Sequence, residues 1–382
     1  MKKRVCIVTT TRADYGILKP LILKLSQSHN YFVELIATGT HLSHSYGYTL
    51  NEIESDGMNV STIDNLVEED NQVLVNETMA NTLAQFGNYF AKEKPDLLIL
   101  LGDRYEVLSI AIAAYNEHIS IAHLHGGELT EGALDDNYRH AITKLAQLHF
   151  TSTEEYRNRV IQLGEHPDRV FAVGALGIDN ILHVPLWSKE ELLSRLNVPT
   201  NLSFAMVTFH PVTSSQESST AQMKCLLDAL SLRNNRSYLI TYANADKGGN
   251  LINELIEDYV GTHSNCYAFT SLGMIRYLTG LKYCDFVIGN SSSGIIEAPS
   301  FGVPTINIGD RQNGRIQATS IYNCEVNTDC IVSAIDEVMT PPFLKRAKQT
   351  INPYGTGNAA ISIVNILDQY PKFISQKSFY DL

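Results

Sequence analysis

The 382-residue sequence predicts an α/β protein made of two Rossmann-like domains facing a central cleft. Three observations predict it. Short, almost continuously apolar runs alternate with longer amphipathic ones, the pattern of parallel strands covered by helices on both faces. Several apolar runs end in small or charged residues just before a helical pattern opens, where doubly wound sheets bind ligands. Around residues 182–202 the alternation breaks, with two prolines, the only tryptophan and a charged helical stretch, and then begins again.

In the first half, residues 4–10 (RVCIVTT), 32–38 (FVELIAT), 96–102 (DLLILLG), 120–126 (SIAHLHG), 148–153 (LHFTST) and 169–174 (RVFAVG) read as strands. Between the first two, GILKPLILKLSQS places Ile17, Leu18, Leu21, Ile22 and Leu25 on one helical stripe. YRHAITKLAQLH does the same with Tyr138, Ala141, Ile142, Leu145 and Leu148. The second half repeats the architecture without repeating the sequence: 204–211, 237–244, 266–271, 284–292 and 303–309 read as strands. The expected division is a first domain over 1–183, a second over 184–360, and a helix and tail over 361–382 that packs back on the first.

Composition narrows the function. Net charge is −12 and no basic stripe stands out, which argues against nucleic acid as a partner. No segment approaches the ~18 apolar residues of a membrane span. The basic start MKKR precedes an apolar run too short for a signal peptide. Six cysteines without a CxxC pair suit a reducing cytoplasm rather than a disulfide framework.

Chemistry concentrates at the strand ends. In DFVIGNSSSGIIEAPSFGVPTINIGDR (285–311) an apolar strand runs into Gly289, Asn290, Ser291, Ser292, Ser293 and Gly294, and then a helix. Small residues and a helix start suit a phosphate, and Glu297 a ribose diol. The same residues also suit a plain serine-capped helix. TTTRADYG (9–16) puts Arg12 where a strand meets a helix start, as a diphosphate ligand or as a surface partner of Asp14. In LLILLGDRYE, Gly102 turns the chain and Asp103 and Arg104 face the carboxyl end of a strand, unless Asp103 is only a cap. His210 in TFHP is a further phosphate partner or a structural histidine.

The densest polar stretch is HLHGGELTEGALDDNYRH (123–140). His123 and His125, two apart, are expected on one strand face, where an HxH pair can bind zinc. No HExxH or cysteine-rich partner supports a metal, and none is expected. Asp136, Arg139, His140 and Thr143 form a polar stripe on the following helix, with Asp135 at its expected cap. Acid/base work and a solvated helix both fit that stripe.

Taken together, TRADYG, GDRYE, HGGELTEGALDDNYRHAITK, FHPVT, GNSSSGIIEAP and INIGDRQNGR resemble the hydrolysing UDP-N-acetylglucosamine 2-epimerases of bacterial sialic acid synthesis. The resemblance runs in order from residue 4 to about 318. It implies a glycosyltransferase-B type fold, a homodimer and no cofactor. UDP would lie against the second domain, with Ser291, Ser292 and Gly294 at the diphosphate, Arg12 and His210 nearby, and Glu297 on the ribose. Arg104, Arg311, Asn244 and Tyr277 match further nucleotide positions. Asp103, His125, Glu128, Asp135, Asp136 and Arg139 match the catalytic region, although several relatives have glutamate where this chain has His125.

The resemblance also implies the reaction. A base removes the carbon-2 proton while UDP leaves, and water adds across the resulting glycal to give N-acetylmannosamine. The same chemistry on UDP-N,N′-diacetylbacillosamine is the near alternative. A UDP-sugar transferase on this fold and a non-catalytic UDP-sugar binder are the alternatives of another class.

Overall fold

The structure is a computed structural model that describes residues 2–69, 72–130, 134–200, 202–212, 218–243 and 248–382. The chain forms two units. One comprises Met1–Glu128, Leu134–Asn180 and Tyr354–Leu382, the other Leu129–Ala133 and Ile181–Pro353. The chain leaves the first unit after Asn180 and re-enters it at Tyr354, a few residues ahead of the expected 183 and 360.

The first unit contains β1 (Lys3–Thr9), β2 (Tyr31–Ala37), β3 (Val60–Thr62), β4 (Glu68–Glu69), β5 (Gln72–Val73), β6 (Leu97–Leu101), β7 (Ser120–Leu124), β8 (Leu148–Thr151) and β9 (Val170–Ala172). Its helices include α1 (Arg12–Gln27), α2 (Leu50–Ser55), α3 (Val75–Glu93), α4 (Tyr105–Asn116), α5 (Leu134–Leu145), α6 (Glu154–Gln162) and α7 (Leu176–His183), whose last residues pass into the second unit. The sheet order is β3-β2-β1-β6-β7-β8-β9, and every neighbouring pair is parallel. Along β1, Val5 and Ile7 enter one apolar cluster while Cys6 and Val8 enter another. A strand covered on both faces has no polar side, hence the unbroken apolar runs in the sequence.

The second unit continues with α8 (Lys189–Arg195), β10 (Phe204–Thr208), α9 (Ser219–Ser231), β11 (Ser237–Thr241), α10 (Gly249–Thr262), β12 (Cys266–Phe269) and α11 (Gly273–Tyr283). It closes with β13 (Val287–Gly289), α12 (Ser292–Ile296), β14 (Thr305–Ile308), β15 (Ile321–Cys324), α13 (Thr328–Val338) and α14 (Pro341–Lys348). Its order is β12-β11-β10-β13-β14-β15, again parallel throughout. Both sheets therefore reverse direction once, between β1 and β6 and between β10 and β13. Loops leaving the carboxyl ends of those strand pairs diverge and leave room for a ligand.

After α14 the chain re-enters the first unit and forms α15 (Ala359–Asp368). Its Ala359, Ala360, Ile363 and Leu367 join the apolar cluster of α1's Leu18, Leu21 and Leu25. Buried Asp179 accepts the backbone N–H groups of Ala359 and Ala360 at 2.8 and 2.7 Å. A carboxylate here satisfies the open donors of the helix start and complements its dipole.

Two local readings change. The stripe assigned to Tyr138–Leu148 is cut short, because α5 ends at Leu145 and Leu148 opens β8. Leu148 is buried either way, so its apolar character could not tell the two apart. The edge strands β3 and β15 have no apolar run to announce them, being short and only partly covered.

Candidate active site

In the first unit the chain leaves β6 through Gly102 (φ 79°), followed by Asp103 and Arg104. Arg104 occupies the N-cap position of α4 with no side-chain cap bond, so Asp103 is not the helix cap. The Asp103 carboxylate pairs instead with Arg139 of α5. That guanidinium is 2% exposed. It also donates to Asp136 Oδ1 at 2.8 Å and to the Glu128 carbonyl at 2.7 Å. One buried cation thus joins the segment after β6, the segment after β7 and the first turns of α5. The two carboxylates it holds stay open, with 28% and 23% of their side chains exposed. Asp135, expected as a cap, lies inside α5 and is exposed, because the helix already begins at Leu134.

Arg104 is held by Glu106, whose Oε1 accepts from Nε and Nη2 at 3.1 and 3.0 Å. Glu106 is fully buried, and its other oxygen has no hydrogen-bond partner among the described residues. Asp14, beyond β1, takes the Thr10 hydroxyl at 2.7 Å. Burial pushes its carboxyl up, while Arg104 and the threonine hydroxyls pull it down. Arg12, the first residue of α1, pairs with Glu52 at 3.2 Å.

The two histidines do not share a strand face. His123 lies in β7, but His125 is one residue past its end with φ 63°, and the alternation stops there. His123 donates from Nε2 to the Gly102 carbonyl at 2.7 Å, and its Nδ1 takes the Thr143 hydroxyl at 3.1 Å. Burial lowers its pKa to about 3, so the ring is neutral. His125 Nε2 accepts the Leu176 amide at 3.4 Å, which leaves the Nδ1 proton for Glu128 Oε1 at 3.2 Å. Ser152 donates to the same oxygen at 2.8 Å. Both rings are committed to protein partners, and among the described residues no group of three or more His, Cys, Asp or Glu could hold a metal.

The two glycines after His125 have separate reasons. A Cβ at Gly126 would stand 3.0 Å from Thr143 Oγ1 and 3.1 Å from His123 Nδ1. Gly127, at φ 79°, lies against the Tyr156 carbonyl, where no side chain fits. The chain can therefore fold Glu128 back beside His125.

In the second unit, Gly289 ends β13 at φ 138°, and a Cβ there would collide with the Thr208 carbonyl. The close approach lets Asn290 bind both sides of His210: its Oδ1 accepts the His210 amide at 2.7 Å, and its Nδ2 donates to the His210 carbonyl at 2.9 Å. The Asn290 carbonyl accepts from Arg311 at 3.1 Å and Gln312 at 2.9 Å. Ser291 caps α12 by accepting the Ser293 amide, and Tyr277 bonds the Ser293 hydroxyl. Gly294 leaves no room for a Cβ beside Thr305, whose methyl would be 2.9 Å away. Burial, then the Glu297 charge, push the Tyr277 phenol up. Glu297 stands at the end of α12, which is only five residues long. The expected His210, Tyr277, Ser291, Ser292, Gly294, Glu297 and Arg311 thus gather around the ends of β10, β13 and β14. Asn244 lies outside the described residues.

Some organising residues were not legible in the sequence. Glu106 and Gln312 were not singled out, and that Asn290 would bind His210 and Thr143 would bind His123 follows only from contacts 80 and 20 residues apart. The nearest sequence signal for Glu106 is an acidic residue among the apolar neighbours Val107 and Ile110 of its helix.

Comparison with known proteins adds the family. The family model described as UDP-N-acetylglucosamine 2-epimerase matches residues 23–368. The chain is 38% identical over its whole length to the polysialic acid biosynthesis protein P7 of Escherichia coli, covering 98% of it. It is 39% identical over 327 residues to the hydrolysing GDP/UDP-N,N′-diacetylbacillosamine 2-epimerase of Campylobacter jejuni, covering 85% of each. A crystal structure of UDP-GlcNAc 2-epimerase from Neisseria meningitidis bound to UDP-GlcNAc superposes with a TM-score of 0.82 at 18% identity, covering 96% of this chain and all of that one.

Proposed function

Since the chain belongs to the UDP-N-acetylglucosamine 2-epimerase family, we propose that it is a hydrolysing 2-epimerase that converts UDP-N-acetylglucosamine and water to N-acetylmannosamine and UDP, for the synthesis of sialic acid or a related surface sugar. The observation that carries this reading is the pair of open carboxylates, Asp103 and Asp136, held on the one buried guanidinium of Arg139. A proton must leave carbon 2 and another must be returned, and two acid/base groups in fixed relation serve that need. Arg139 orients both, and part of each side chain stays exposed. Glu128, enclosed by His125 and Ser152, is the third carboxylate of the group.

In this reading the second unit binds the diphosphate of UDP. His210, Ser291, Ser292 and Arg311 supply donors and charge, and stabilising the leaving anion lowers the barrier to elimination. Tyr277 and Glu297 bound the nucleoside. Arg12 and Arg104 add positive charge at the first unit's strand ends. No cofactor is required by this chemistry, and a homodimer in the cytoplasm is the expected state.

The test is incubation with UDP-N-acetylglucosamine in heavy water, following UDP release and deuterium at carbon 2. UDP release without deuterium at carbon 2 would overturn the epimerase reading. The C. jejuni relative favours a second substrate, UDP-N,N′-diacetylbacillosamine. Turnover of the two sugars side by side separates them. Light scattering on the purified protein tests the dimer.

A further inference from the structure

Beyond α15 the chain runs along the first unit and inserts Lys377 between α5, β8 and the turn after α6. The Lys377 ammonium donates to the Ala146 carbonyl at 2.5 Å and the Thr143 carbonyl at 3.2 Å. Both carbonyls lie at the carboxyl end of α5, where the Thr143 carbonyl also accepts the Ala146 amide at 3.3 Å. It also meets Glu165 Oε2 at 2.6 Å. Glu165 is 2% exposed; its Oε2 also meets His149 at 3.0 Å, and its Oε1 takes Lys144 at 2.6 Å. Burial works against its charge, but His149 and the two lysines reverse that and hold the carboxyl below its usual range. The segment is fastened on both sides: Gln147 donates to the Ser375 carbonyl at 3.1 Å, the Tyr380 amide to Gly164 at 2.9 Å, and Phe379 lies on Gly164.

Thr143 connects this cluster to the site. Its carbonyl takes Lys377, and its hydroxyl bonds His123, whose other nitrogen holds the Gly102 carbonyl beside Asp103. One turn earlier the same helix carries Arg139, the partner of Asp103 and Asp136. A helix moves as a rod, so a cation that fixes its carboxyl end sets the height of these groups over the sheet. We propose that Lys377 is a positioning residue for the acid/base site, acting through the carboxyl end of α5 and the Thr143–His123 contact. Nothing in the epimerase chemistry itself calls for it, and it touches no reacting group.

The ammonium's environment adds a signature. Burial lowers its pKa, Glu165 raises it, Lys144 lowers it again, and the result is about 8. His149 shares Glu165 Oε2 with Lys377, and the lysine's charge helps burial to lower the pKa of that ring. Above that pH the ammonium is lost and its ion pair with Glu165 goes with it.

The inference rests on the epimerase reading for its kinetic readout only. With a turned-over UDP-sugar, Lys377→Met should lower kcat about tenfold at pH 7, a loss typical of sub-ångström misplacement, with KM within about twofold of native. Lys377→Arg should restore most of kcat and move the alkaline fall in kcat from near pH 8 to above pH 9. Native kcat that is flat through pH 8–9, a limb unmoved in Lys377→Arg, or Lys377→Met turning over like native would each overturn the proposal. The native and arginine profiles suffice if the methionine variant does not fold. The ring-nitrogen signals of His123 in ¹⁵N-histidine NMR give a readout independent of substrate: they should shift in Lys377→Arg or Lys377→Met while those of His41 stay in place. If the native protein turns over neither sugar and these signals still shift, the functional reading fails and the positioning role stands. Unmoved signals overturn the role.

Discussion

Asp103 and His125 show how far a single residue's chemistry depends on its setting. Asp103 is an ordinary aspartate made useful by Arg139, which no neighbour in sequence supplies. Asp103→Asn should keep the hydrogen bond to Arg139 but lose the acid/base function proposed for Asp103. We expect kcat to fall about 10²–10⁴-fold with UDP affinity retained, read by steady-state kinetics and UDP titration. Collapse of UDP affinity with normal residual turnover would make Asp103 a binding residue instead. Both nitrogens of His125 are spent on Leu176 and Glu128. It therefore orients Glu128. Its φ of 63° is tolerated by Asn but not by a β-branched residue. Both His125→Asn and His125→Val lose the ring's two contacts, but only valine adds backbone strain, so His125→Val should be about 1–2 kcal/mol less stable than His125→Asn in urea unfolding. Equal losses would mean that the backbone there relaxes.

At the scale of the element, α1 carries a proline in its interior that the apolar stripe of the sequence ignores. Pro20 has no N–H to give to the Gly16 carbonyl one turn earlier. Asn180 fills that place from another part of the chain, donating to Gly16 O at 2.9 Å from a buried position. Asn180→Ala should leave the carbonyl unmet and cost about 1–3 kcal/mol, measured by chemical denaturation. A change below about 0.5 kcal/mol would show that water replaces the amide. The strands were legible because burial on both faces leaves a run of apolar residues, as in Leu97–Leu101. The polar stripe of α5 was legible as spacing, but which members would meet was not. Asp136 reaches Arg139 within the helix, whereas Asp103 arrives from a different strand 36 positions away.

For the molecule as a whole, buried neutral histidines link stability to pH. Burial holds His123 near 3 and lowers His41 to about 4, although the Thr11 backbone opposes it at His41. The unfolded chain takes up protons at these rings below about pH 6.5, while the folded one refuses them. Their stabilisation is complete above pH 6.5 and is lost as the pH falls toward 4 and 3. Each ring should cost on the order of 2 kcal/mol by pH 5. Asp14, raised by burial, works the other way and offsets part of this. Thermal melting at pH 7 and pH 5 checks the sum: a lower midpoint at pH 5 is expected, and an unchanged one refutes it.

The sequence by itself determined the two parallel α/β units and the family, because periodicity and strand-end motifs are local properties of the chain. It also named most residues of the candidate site. Only the tertiary structure decided what those residues do for one another. Arg139 joins two carboxylates, His123 and His125 part ways at a strand end, and Lys377 returns from the far end of the chain to α5. Hydrogen bonds and ion pairs act over about 3 Å, and only folding brings residues dozens or hundreds of positions apart within that reach.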